Sequence, residues 1–198
     1  MVGAGLAGIS FATQFIAAGV DIALLERSNS AGGVWRSYGN AFSRVNSTEP
    51  GYRLRLKRRP MPNSNHSHCH EILTDVELAF EQFSLADVTF LEMELVGVAR
   101  SATSASWRLC CLWTCSSRVS LDCEWAILCT NRRLGAPRNL TIADGERFGG
   151  ELRRGISNDM LDVAFKRQCV LILGHGPYAT ENARTALECA ASRVTFAV

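Results

Sequence analysis

The chain opens on Met1-Val2-Gly3-Ala4-Gly5-Leu6-Ala7-Gly8, three glycines in the spacing Gly-x-Gly-x-x-Gly. Few short patterns constrain a backbone as strongly. The first glycine permits a tight strand-to-helix turn. The second leaves no side chain where a pyrophosphate would approach, and the third lets the helix lie close on the strand. The next residues agree with this pattern. Ile9, Ala12, Phe15 and Ile16 recur at helical spacing up to Gly19, which reads as a helix end. Val20 to Leu25 is a strand-length apolar run with one Asp, suited to a buried parallel strand, and it ends on Glu26. The helix N-terminus presents free N–H groups and a partial positive charge to phosphates. A carboxylate at Glu26 can accept hydrogen bonds from both ribose hydroxyls and would repel a 2′-phosphate. The unit is therefore expected to prefer FAD or NAD over NADP.

The same arrangement returns near the other end. Val170 to Leu173 reads as a buried strand that runs into Gly174-His175-Gly176-Pro177-Tyr178-Ala179. A helix is expected from about Thr180 to Ala191, then a strand from Val194 to Val198. Ala179 holds the third glycine position, a substitution common where the bound nucleotide carries a 2′-phosphate. His175 is expected to line a cofactor groove.

Between these units the signals are mixed. Residues 28 to 70 are rich in Ser, Asn, Gly, Pro and Arg and read as ordered loop anchored by Trp35, Tyr38, Phe42 and Tyr52. A helix is expected over 71 to 84 and a strand over Val88 to Val98. Trp107 to Trp113, Val119 to Cys123 and Trp125 to Cys129 read as the end of a β-meander and one further buried strand. Residues 131 to 168 are loop-rich with one weak helical stretch. Arg53, Arg55, Lys57, Arg58 and Arg59 form the most basic patch, read as a solvated strand and turn. With a net charge of +2 and no interleaved aromatics, nothing points to nucleic acid.

His66, His68 and His70 alternate and would share a face on a strand, but their Asn- and Ser-rich surroundings favour a solvated loop over a metal site. None of the eight cysteines is paired as Cys-x-x-Cys, which speaks against a zinc ribbon or a redox dithiol. Several lie in apolar runs, as small buried hydrophobes do, and a reduced, cytoplasmic setting is expected. The apolar N-terminus lacks the cationic start of a signal peptide, and no stretch is long enough to span a bilayer.

Glu26 to Arg36 (ERSNSAGGVWR) resembles the stretch after the second strand in flavin-containing monooxygenases and their Baeyer–Villiger relatives, where an acidic residue is followed by Gly-Gly-x-Trp. RVNSTEPGYRL carries Asn46 where that family has an asparagine near the flavin ring. WAILCTN resembles the strand closing its FAD domain, and VLILGHGPYATENARTALE its NADPH-binding turn and helix. Phe148-Gly149-Gly150-Glu151-Leu152-Arg153-Arg154 keeps the phenylalanine and glycine of the family fingerprint but has Arg154 in place of its histidine, and Asn131 replaces the glycine of the closing-strand motif.

The resemblance implies an α/β protein: a Rossmann-like FAD domain with a β-meander insertion over 1–165, then the first βαβ of a second Rossmann-like NAD(P) domain over 166–198. It implies a truncated member, with a first strand reduced to Met1 and Val2. That loss is expected to leave unpaired backbone in the sheet. FAD would be held by Gly3, Gly5, Ala7, Gly8, Glu26, Arg27, Gly33, Trp35 and Thr130. NADPH would be held by Gly174, Gly176, Pro177, Tyr178 and Ala179. Asn46 would act catalytically near flavin C4a, where a hydroperoxide would pass one oxygen to a soft nitrogen or sulfur centre or to a ketone. The expected partner is a small-molecule substrate, with no nucleic acid and no metal, and membrane association is not indicated in this segment. Two alternatives stay open: another flavin-dependent NAD(P)H reductase, and a non-catalytic nucleotide-binding remnant.

Overall fold

The computed structural model describes residues 1–47, 52–57, 66–101, 105–114, 116–131, 141–155, 160 and 162–198. They form an α/β protein of two compact units. The first comprises Met1–Arg36, Arg53–Met61 and Ile72–Asn131, the second Ser37–Tyr52, Pro62–Glu71 and Arg132–Val198.

In the first unit, helix α1 spans Leu6–Ala17 and buries Gly8, Ile9, Ala12 and Thr13. It ends where the sequence places its stop. Gly19 takes φ +73°, its N–H donates to Ile16 O, and the Val20 N–H reaches back to Phe15 O. This left-handed close satisfies carbonyls that the helix would otherwise leave unpaired.

Strand β1 is only Leu24–Leu25, shorter than the apolar run that contains it. It pairs in parallel with β2, Thr89–Phe90, and on its other side with Val2, which also bridges Leu128. Val2 thus lies between β1 and Leu128. The backbone polar groups here alternate sides. The Val2 N–H donates to Ile127 O (2.9 Å) and Val2 O accepts from the Cys129 N–H (2.8 Å). On the opposite edge Met1 O accepts from the Leu25 N–H (2.9 Å) and the Gly3 N–H donates to Leu25 O (2.7 Å).

The single strand expected over Val88 to Val98 is two strands in two sheets. β2 ends at Phe90, and β3 runs over Met93–Arg100. Glu92 breaks the line at φ +56°, with its N–H on Ser28 O and its carbonyl taking the Thr114 N–H. β3 then begins an antiparallel meander with β4, Trp107–Trp113, and β5, Ser117–Cys123. Met93, Leu109 and Cys111 of the meander pack with Val2 and Leu25.

A second cluster gathers Ala4, Ile9, Ala12, Leu24, Val76, Ala79 and Leu85. A short helix, α2, covers Val34–Ser37 in the stretch read as loop. The helix that supplies Val76 and Ala79, α3 (Cys69–Gln82), starts two residues before the expected one.

The basic patch is not wholly solvated. The Arg53 side chain is buried and forks onto buried Asp75 through Nε (2.7 Å) and Nη2 (2.9 Å), while Asp75 Oδ2 also accepts from the Leu54 N–H (3.2 Å). Alternating Leu54 and Leu56 pack on the core beside it. Arg58 and Arg59 lie outside the described residues.

In the second unit, strands β6 (Cys169–Leu173) and β7 (Arg193–Ala197) pair in parallel around helix α4 (Pro177–Glu188). α4 begins three residues earlier than expected because proline at the first helical position is already set to helical φ. Met160, Phe165 and Ala186 form the core of this unit. Within 131–168, the described residues include the short 3₁₀ turn Gly145–Arg147.

Gly19→Ala is expected to destabilise the chain by about 1 kcal/mol in urea unfolding, through left-handed strain alone, since nothing lies within 4 Å of the added methyl. Asp75→Ala removes the carboxylate onto which a buried guanidinium forks and is expected to cost about 3 kcal/mol in the same measurement.

Candidate functional site

The first glycine turn is a close backbone assembly. Gly3 has φ +98°, and a methyl there would sit 2.7 Å from the Cys129 carbonyl oxygen and 3.5 Å from Thr130 Cγ2. A methyl on Gly8 would lie 1.8 Å from Gly3 O, so α1 rests directly on the turn that starts it. Gly5 is the N-cap residue and has no side chain to close over the first-turn N–H groups.

The Gly32-Gly33 turn is fixed against this one. The Gly32 N–H donates to Ala4 O (2.9 Å), and a methyl on Gly33 would come within 2.9 Å of Gly5 Cα. Gly33 directly precedes the short helix carrying half-buried Trp35. Glu26 completes the assembly. Its buried carboxylate accepts the Ala4 N–H at Oε2 (2.7 Å) and the Ser28 N–H at Oε1 (2.9 Å). Each oxygen keeps a second lone pair for a further donor. Gly3, Gly5, Gly8, Glu26, Gly33 and Thr130 are thus brought together in the first unit. Ala7 and Arg27 are exposed on the elements that carry them. Beside the turn, burial pushes the Cys129 thiol up, so it stays protonated at neutral pH.

The second turn repeats the geometry with more room. Gly174 has φ +111°, and Gly176 is the N-cap residue of α4. A methyl on either would meet open space, and buried Ala179 sits where the first turn tolerates no methyl. Tyr178 meets Tyr38 edge-on at 6.2 Å, and burial, with Tyr38 second, holds its hydroxyl above the ordinary tyrosine value. His175 is exposed and edge-on to Phe196 at 5.6 Å.

Asn46 belongs to the second unit. Its Nδ2 approaches Pro177 O (3.5 Å), and its Oδ1 accepts from Arg184 Nη2 (3.4 Å). Neighbouring residues also hold α4. Asn40 donates to Thr185 Oγ1 (3.2 Å), and the Arg44 N–H donates to Glu181 Oε2 (3.0 Å). The sequence does not single out these α4 residues. Glu181, Arg184 and Thr185 do share a face at helical spacing, but nothing in that spacing names a partner 137 to 145 positions away.

The three histidines do not line one strand face. His66 Nδ1 contacts Val45 O (2.8 Å), His68 bridges Arg44, and His70 lies in α3 with its ring stacked on His68 at 5.2 Å. Burial, then the Arg44 and His70 charges, hold His68 below the ordinary imidazole value. Among the described residues no group of three His, Cys, Asp or Glu could hold a metal ion, and no helix is long and apolar enough to cross a membrane. Phe148 folds over Gly150, where a methyl would meet its ring at 2.6 Å, and Arg154 is exposed.

Residues 1–71 match the family model of an NAD(P)-binding Rossmann-like domain. No curated protein matches the chain. Among solved structures, the chain is similar to OTEMO in complex with FAD and NADP, at 19% identity and TM-score 0.71, covering 98% of this chain and 37% of that one. It is similar to an oxidized steroid monooxygenase bound to NADP, at 17% identity and TM-score 0.67 with the same coverage. It is also similar to the polycyclic ketone monooxygenase of the thermophilic fungus Thermothelomyces thermophila, at 18% identity and TM-score 0.65, covering 98% and 34%. The chain has the fold of the flavin-monooxygenase-like proteins that its motifs resemble, and spans a little over a third of the length of these structures.

Two glycine substitutions separate packing from ligand approach. Gly8→Ala is expected to lower the thermal midpoint, because its methyl has no space. Gly5→Ala, whose methyl would lie at an ordinary 3.7 Å from Gly33 Cα, is expected to keep the midpoint, so that any effect it has on a nucleotide is one of ligand approach. Thermal unfolding of the purified variants checks both.

Proposed function

We propose that the first glycine unit binds FAD and the second NADPH, in a flavin-dependent monooxygenase-type oxidoreductase. The observation that carries this reading is the approach of Gly5 to Gly33 beside the Glu26 carboxylate. It leaves a side-chain-free cradle at a helix N-terminus with an acceptor next to it. That donor and acceptor set fits a dinucleotide: N–H groups for the pyrophosphate and a carboxylate for the ribose hydroxyls. Glu26 can serve without moving, because Ala4 and Ser28 already orient both oxygens. Ala7, Arg27 and Thr130 flank the phosphate and ribose side, and Gly33 and Trp35 the flavin side.

Gly174 and Gly176 would admit the second pyrophosphate to the first turn of α4. Pro177 has no N–H to offer there, so the N–H groups of Tyr178 and Ala179 are its donors. Asn46 is the residue assigned to hydrogen-bond near the reacting face of the flavin, through the amide that Arg184 and Pro177 O hold. FAD, once reduced by NADPH, supplies oxygen-transfer chemistry when bound. The chain's own work is to bind, orient and exclude water. A soft nitrogen or sulfur centre, or a ketone, is the substrate class this reading implies.

The visible spectrum of the purified chain tests it, followed by anaerobic addition of NADPH. Flavin bands that bleach with NADPH are expected. Gly176→Ala is expected to keep the bands and slow the bleaching. Bleaching followed in air by fast release of peroxide, with no oxygenated product from a sulfide or ketone, would favour the flavin reductase alternative. Absence of flavin after reconstitution with excess FAD would reject the proposal.

A further inference from the structure

Asn46 ends a chain of polar contacts that starts inside α4. Glu181 takes the Arg44 N–H on Oε2 (3.0 Å) and Arg184 Nη1 on Oε1 (3.0 Å), and Arg184 Nη2 then donates to Asn46 Oδ1 (3.4 Å). The Glu181–Arg184 pair is largely shielded, with side-chain exposures of 18% and 23%. A guanidinium can only donate and a carbonyl can only accept. Arg184 on one side and Pro177 O on the other therefore leave the Asn46 amide a single orientation: Oδ1 toward Arg184, Nδ2 toward Pro177 O.

We infer that Arg184, locked by Glu181, is a positioning residue that sets the direction of the Asn46 amide from the face of α4. Glu181 has two tasks in this arrangement. It aims the guanidinium, and it fixes the backbone of Arg44 two residues before Asn46. Pro177 is the first residue of α4, directly after the glycine turn, so the amide also reads the position of that turn. The inference rests on the proposed reading for its catalytic meaning, since Asn46 matters to chemistry only if it faces the flavin.

The test is the side-chain amide resonance pair of Asn46 in the ¹⁵N-labelled chain, assigned as the pair lost in Asn46→Ala. In Arg184→Met the Asn46 pair is expected to move toward the position of a free amide. The Asn40 pair, held by Thr185 in the same unit, is expected to stay. Glu181→Gln keeps an acceptor for the Arg44 N–H but releases Arg184, and is expected to move the Asn46 pair in the same direction by less. An Asn46 pair unchanged in Arg184→Met overturns the inference. Should Arg184→Met fail to fold, an unchanged pair in Glu181→Gln overturns it instead. NADPH bleaching of the flavin is read separately. If Asn46→Ala leaves it and oxygen transfer intact while Arg184→Met moves the amide pair, the positioning stands and the catalytic reading of Asn46 falls.

Discussion

Glu26 is the point at which the first unit is tied together. Its N–H donates to Phe90 O in β2 and its carbonyl accepts from Met93 at the head of the meander. One carboxylate oxygen holds the glycine turn through Ala4, and the other holds the next loop through Ser28. Four elements therefore converge on one residue that is 8% exposed. A buried carboxylate is costly unless its lone pairs are engaged, and N–H donors to a charged acceptor make the stronger kind of hydrogen bond. Apolar packing cannot replace this arrangement, because neither backbone N–H would then have an acceptor. The same geometry leaves acceptor capacity beside a cradle without side chains. The feature that stabilises the unit is thus also the one that recognises a ribose in the proposed reading.

The two glycine units follow one plan with different tolerances. Each has a left-handed glycine, an N-cap glycine two positions on, a helix of 12 residues and a left-handed helix end. The first unit allows no methyl at Gly8, whereas the second accommodates Ala179. The first closes its helix with Gly19 at φ +73°, the second with Ala190 at φ +64°. An alanine in that region carries a strain of about 1 kcal/mol that glycine avoids. The second helix is held in place by other contacts, among them its core residue Ala186 and the polar clips to Asn40, Arg44 and Asn46.

Local requirements were legible in the sequence. The glycine spacing, Glu26, the Gly19 stop, the meander runs and the second strand–turn–helix all express rules that act within a few residues. What could not be read depends on partners far along the chain. Arg53 looks like surface charge until Asp75, 22 positions later, takes it into the core. The run from Val88 to Val98 has continuous strand character, and the split at Glu92 goes with bonds to distant partners: Glu92 to Ser28 and Thr114, and Met93 to Glu26. Met1 and Val2 seem too few for a central strand. Their bonds nevertheless alternate sides, Val2 reaching Ile127 and Cys129 while Met1 and Gly3 reach Leu25. The placement of Asn46 belongs to the same class, since its partners are on α4.

Magnitudes decide how to read that last contact. A helix ion pair at i,i+3 such as Glu181–Arg184 contributes only about 0.3–0.5 kcal/mol, and contacts near 3.4 Å add little more. As a stabilising device the network is weak, and one larger apolar side chain at the same place would do more for the fold. Its distinctive product is direction. An amide has two chemically opposite ends, and a donor fixed on one side with an acceptor on the other makes one orientation the only satisfied one. Weak bonds are adequate for that purpose because they need only separate two orientations of the same group. The same polar face therefore explains both why α4 carries Glu181 and Arg184 at that spacing and why Asn46, although exposed, is held with a defined end forward.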